Sequence, residues 1–119
     1  MIRALCYPRI VTDTPKSRRA MLEEFLAANP NDAFARYGLA MECANSGDDA
    51  AAENHFSQLL AAHADYLYGY FHYGQLLLKL GRSAEAKSTL EQGVAAAKKK
   101  GDAHALSELE GALAEVIAE

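Results

Sequence analysis

An all-α, superhelical array of about three antiparallel helical hairpins, six helices in all, is predicted by three features of this 119-residue chain. The first is self-similarity at an offset of 34 residues. Gly47-Asp48-Asp49-Ala50-Ala51-Ala52 falls on Gly81-Arg82-Ser83-Ala84-Glu85-Ala86, Ala40 on Gly74, Leu39 on Tyr73 and Phe56 on Leu90. A period of that length marks stacked helix–turn–helix units. The second is apolar residues recurring at helical spacing between turn residues. The third is the shortness of those turns, which forces successive helices to lie antiparallel as a row of hairpins.

Each element has a local reason. Residues 1–13 are β-branched and aromatic, carry Pro8 and show no helical period, so they read as an extended N-terminal arm. Thr14-Pro15 then reads as a helix start, a hydroxyl cap with proline at the first helical position. Ala20, Met21, Leu22, Phe25 and Leu26 follow at helical spacing as far as Asn29-Pro30. Asp32 caps the next helix, to about Ser46, which Gly47 closes in the left-handed conformation. Asp48 or Asp49 caps a helix to about His63. Asp65 starts one to Leu80, closed by Gly81. Ser83 caps one to about Lys99, closed by Gly101, and Asp102 caps the last. Residues 14–119 thus form one domain.

Composition narrows the function. The formal charge of −4 and the absence of a basic face argue against nucleic acid. Lys98-Lys99-Lys100 reads as cations offsetting the negative end of a helix dipole before Gly101. No stretch reaches the ~20 apolar residues of a membrane span, and the first residues are too interrupted for a secretory signal. Cys6 and Cys43 lack CxxC spacing and read as reduced thiols of a cytoplasmic protein.

An enzyme is not expected. His55, His63, His72 and His104 make no HExxH or other close metal-ligand pair. Cys43 falls within a packed helix and reads as an inert thiol. Glu23-Glu24 and the pair Glu108 and Glu110 read as solvated helix faces. Neither a phosphate loop nor a GxSxG elbow is present, so no metal, cofactor or catalytic residue is assigned.

These residues resemble the tetratricopeptide repeat family. In the copy at 64–101, Tyr70 and Tyr73-Gly74 take the places of the first large residue and the Leu-Gly pair. Leu77 takes the aromatic place after them, and Ala86 and Leu90 the alanine and aromatic places of the second helix. In the copy at 30–63, Leu39-Ala40, Ala52 and Phe56 match, while Arg36 and Cys43 stand where large apolar residues are usual. Pro30 matches the proline that ends a preceding copy. Residues 14–29 resemble the second half of an earlier copy, and 102–119 a capping helix. Small residues at Ala40, Gly74, Ala52 and Ala86 let backbones approach, and Tyr70, Tyr73, Leu77, Phe56, Leu59 and Leu90 fill the space between.

The resemblance implies that the first helix of each pair lines a concave groove. The lining residues are then Phe34, Tyr37, Met41 and Asn45, with Tyr68, Phe71, His72, Gln75 and Lys79, and Leu106, Leu109 and Leu113 from the last helix. Some members clamp acidic C-terminal tails of chaperones with lysine, arginine and asparagine. Tyr37, Gly38, Phe71 and His72 stand where that clamp would begin, so that ligand is not expected. The expectation is a protein–protein interaction module or small adaptor, holding an apolar or amphipathic peptide in an aromatic groove. The alternative is a self-associating unit, a homodimer formed through the same groove or the arm Ile2–Tyr7.

Overall fold

A computed structural model describes residues 17–118, and among these described residues there are six helices. They are α1 (Arg18–Ala28), α2 (Ala33–Asn45), α3 (Asp49–Ala62), α4 (Leu67–Lys79), α5 (Ser83–Lys100) and α6 (Ala103–Ala118). The arm at 1–13 and the start at Thr14-Pro15 lie outside the described residues. Within them, Ser17 caps α1, its hydroxyl accepting from Ala20 N–H at 3.0 Å.

The two turns inside the hairpins, α2–α3 and α4–α5, and the turn between α5 and α6 are copies of one another. Gly47, Gly81 and Gly101 have φ of 87°, 80° and 78°. The residue after each glycine donates its N–H to the carbonyl five residues back: Asp48 to Cys43 at 2.9 Å, Arg82 to Leu77 at 2.9 Å, Asp102 to Ala97 at 3.1 Å. This is the Schellman closure, which needs a left-handed residue and so favours glycine. The turns that lead into α2 and α4 use no glycine but also recur at the 34-residue offset. Asn29 and His63 donate to Phe25 and Leu59, each at 2.8 Å, and Asp32 and Tyr66 donate to Asn29 and His63, each at 3.1 Å.

Two expected caps are corrected by that same period. Asp32, Asp48 and Asp102 do cap helices, accepting from Ala35, Ala51 and Ala105. The position equivalent to Asp32 is Tyr66, not Asp65, and no side chain caps α4. The position equivalent to Asp48 is Arg82, so Ser83 is the first helical residue of α5 rather than its cap. The Arg82 guanidinium instead reaches Glu53 on α3, at 2.8 and 2.6 Å, and Glu85, at 2.7 Å.

Two apolar clusters hold the array together. One gathers Leu26, Leu39, Ala40, Cys43, Ala52, Phe56 and Leu76; the other gathers Leu67, Tyr70, Leu77, Ala86, Leu90, Leu109 and Val116. Tyr73 packs against both, stacked on Phe56 with ring centroids 5.6 Å apart. Ala40, Ala52 and Ala86 are fully buried, as the small positions should be. At Gly74 an added Cβ would sit 2.6 Å from Leu90 Cγ, so only glycine fits that approach.

Candidate interaction groove

The inner wall is built by α2, α4 and α6. Their outward faces carry side chains that remain at least partly exposed, although Tyr37 and Met41 also pack against the first core and Tyr68 and Phe71 against the second. Tyr37 on α2 is the hinge of a continuous run of rings. Its centroid lies 5.2 Å from Tyr66 and 5.7 Å from His72; Phe71 lies 5.1 Å from His72, edge to face, and 6.3 Å from Tyr68. Such tilted and edge contacts suit the ring quadrupoles. Phe34, one turn before Tyr37, is 72% exposed.

Three hollows follow this run. The first, about 480 Å³, is lined by Phe34, Tyr37, Tyr66 and Tyr68, with Asp65, Lys100 and Asp102 at its rim. The second, about 260 Å³, lies between Met41 and Asn45 of α2 and His72, Gln75 and Lys79 of α4, with Phe56 behind. The third, about 230 Å³, lies between Phe71 and Gln75 of α4 and Glu108, Gly111, Ala112 and Glu115 of α6. The α2 and α4 residues expected from the sequence therefore gather along one wall.

The α6 residues do not. Leu109 is 1% exposed within the second core, and Leu106 and Leu113 pack half-buried against that core. Glu108, Gly111 and Glu115 face the groove in their place. The cause is a change of repeat length. The cap positions Asp32 and Tyr66 are 34 residues apart, but Tyr66 and Asp102 are 36 apart. Two extra residues turn a helix by about 200°, so carrying the 34-residue period onward selects the wrong face. Tyr66 also escaped sequence reasoning. Its only signal is an aromatic residue at the position where Asp32 caps the preceding repeat.

Burial raises the Tyr37 phenol and lowers the His72 imidazole, the latter opposed by Glu108 nearby. A hydrogen bond with Glu108, then burial, raises Tyr68. The half-buried rings thus present neutral, apolar faces at neutral pH, with carboxylates at one end. Among the described residues no cluster of three or more His, Cys, Asp or Glu could hold a metal ion, and no helix is long and apolar enough to cross a membrane.

A family model described as tetratricopeptide repeat matches residues 44–109. The chain belongs to the tetratricopeptide repeat family. A tetratricopeptide repeat domain protein from Salinibacter ruber is similar to it in both a solution and a crystal structure. The solution structure is 34% identical, with 73% of this chain and 88% of that one covered and a TM-score of 0.69. The crystal structure is 33% identical over 73% and 97%, again at 0.69. A protein from Bordetella parapertussis matches at 26% identity over 87% of this chain and 90% of its own, TM-score 0.75. MamA, at 17% identity, shares the fold. No curated protein matches the sequence. Tetratricopeptide repeats form protein–protein interaction modules and are generally not catalytic, and this chain has that architecture.

Proposed function

We propose that the chain is a small adaptor that lays an apolar or amphipathic peptide segment of another protein along the wall of α2, α4 and α6. The observation that carries this reading is the run of rings from Tyr66 through Tyr37, His72 and Phe71 to Tyr68, extended by the exposed Phe34 over an open hollow. Aromatic side chains desolvate large areas with few rotamers to fix, which is why they anchor interfaces. Glu108 and Glu115 at the far end favour a segment whose polar side carries lysine or arginine.

A peptide library displayed against the full chain tests this. Enrichment of segments with apolar anchors is expected, and their affinity should fall about tenfold or more in Phe34→Ala, the loss of one anchor. The melting temperature should stay put. Selected peptides that bind Phe34→Ala and Phe71→Ala as tightly as the wild type would remove the groove from consideration. A concentration-dependent dimer that competes with every selected peptide would favour self-association instead.

A further inference from the structure

The hollow at the Phe34 end of the wall has a charge pattern that an apolar anchor does not explain. Four rings line it, those of Phe34, Tyr37, Tyr66 and Tyr68, with Tyr37 and Tyr66 tilted at 41° and their centroids 5.2 Å apart. Ring faces are electron-rich and attract a cation placed over them. The surrounding charges act in the same sense. Asp65 and Asp102 line the hollow. Burial, then the charge of Asp32, raises the Tyr66 phenol; a hydrogen bond with Glu108, then burial, then the charges of Glu108 and Asp102, raise that of Tyr68. Four carboxylates thus stand at or beside this space.

Little within the fold answers them. Among the described residues, Asp32, Asp65 and Asp102 make no ion pair, and Glu108 meets His104 at 3.7 Å. Lys100, also in the lining, gives its ammonium to the backbone carbonyl of Asp65 at 3.4 Å and not to a carboxylate. His63 is held by Asn31 O, 3.1 Å from its Nε2. An apolar side chain seated here would strip water from the carboxylates and return no charge. Arginine returns it. Its guanidinium is planar and less strongly hydrated than an ammonium, so it stacks on a ring while its edge forks onto a carboxylate. We propose that this hollow takes an arginine side chain of the partner segment, with the guanidinium over the Tyr37 and Tyr66 rings and its N–H groups on Asp65 and Asp102. The proposal rests on the reading of the wall as a peptide groove, and it names the residue that the Phe34 end selects.

A small probe tests the hollow apart from any partner. N-acetyl-arginine methylamide is titrated into the full chain and followed by amide NMR, beside its citrulline counterpart, which keeps the shape without the charge. The arginine probe should bind saturably and shift the amides of Phe34, Tyr37, Tyr66 and Tyr68. It should bind about fivefold or more tighter than the citrulline probe. Asp65→Lys should abolish this binding. Glu91→Lys changes the net charge equally at an exposed site on α5 outside the hollow, and should keep most of it. Absence of saturable binding, equal binding of citrulline, equal losses in the two variants, or shifts centred elsewhere would each overturn the proposal. The peptide library separates this site from the groove itself. Apolar segments enriched without a fixed arginine would remove the arginine site and leave the groove; saturable arginine binding with no enriched peptide would uphold the guanidinium site and count against the groove.

Discussion

Replacing Gly93 with alanine isolates the close packing of this array, because local preference and tertiary packing pull in opposite directions. Within a helix, Gly→Ala is favoured by about 1 kcal/mol. At Gly93 the new methyl would lie 2.6 Å from Tyr70 Cβ, 2.9 Å from Leu109 Cδ2 and 3.1 Å from Tyr70 Cγ. The Tyr70 atoms cannot swing aside. The residue is buried and its hydroxyl donates to Ala64 O at 2.8 Å. The helices must therefore separate by about 1 Å to reach ordinary contact, an overpacking of about 3 kcal/mol. The net loss is about 2 kcal/mol, or about 8 °C in melting temperature for a chain of this size. Gly111→Ala supplies the control. It lies on α6 with nothing within 4 Å of an added Cβ, so propensity acts alone and about 0.5–1 kcal/mol of stability is gained. Urea unfolding followed by circular dichroism measures both. A Gly93→Ala chain as stable as the wild type, or two substitutions that shift the midpoint in the same direction, would refute the packing.

Three further outcomes follow from the geometry. Gly81→Ala, at φ 80° with open space around it, should destabilise by about 1 kcal/mol from backbone strain alone, and a thermal melt reads it. Arg82→Ala should lower the melting temperature near neutral pH by removing the paired bonds to Glu53; those bonds hold the Glu53 carboxyl below its usual range. Their contribution is present above the unfolded carboxylate pKa and lost as pH falls through the lowered folded value, so wild type and variant should converge in acid. Burial lowers the His72 pKa, so between the unfolded value near 6.5 and the lower folded value the unfolded chain binds more protons. Stability should therefore drop as pH falls through that window, and His72→Gln should flatten this part of the pH–melting curve while His55, lowered mainly by burial and then by Arg36, keeps its own share.

The hairpins were legible because a repeat forces the same steric solutions to recur. Gly47 and Gly81 carry the same turn, and Ala40 and Gly74 the same close approach. What escaped depended on register rather than residue type. Asp65 and Ser83 are good capping residues, but each sits one position away from the cap of its repeat. Leu106, Leu109 and Leu113 look like a free apolar face only if the period stays at 34. The longer second copy turns them toward the core and brings Glu108, Gly111 and Glu115 to the wall. An aromatic such as Tyr66 has no local signature for the groove, because its role depends on a ring 29 residues away.

The rings of the inner wall do two things at once, and this decides which substitution reads function. Tyr37 touches Tyr66 and His72 and so holds α2 against α4, while Phe71 touches His72 and Tyr68 of its own helix and packs against the second core. Truncating Tyr37 would remove partly buried contact area, worth about 25 cal/mol per Å², along with any ligand contact. A loss of binding there could not be separated from a loosened wall. Phe34 differs: at 72% exposure its ring has little to lose on truncation in the free chain. It borders the hollow lined by Tyr37, Tyr66 and Tyr68 while standing outside the ring network. Binding that depends on Phe34 at constant stability would therefore report a ligand, whereas dependence on Tyr37 alone would report only the scaffold.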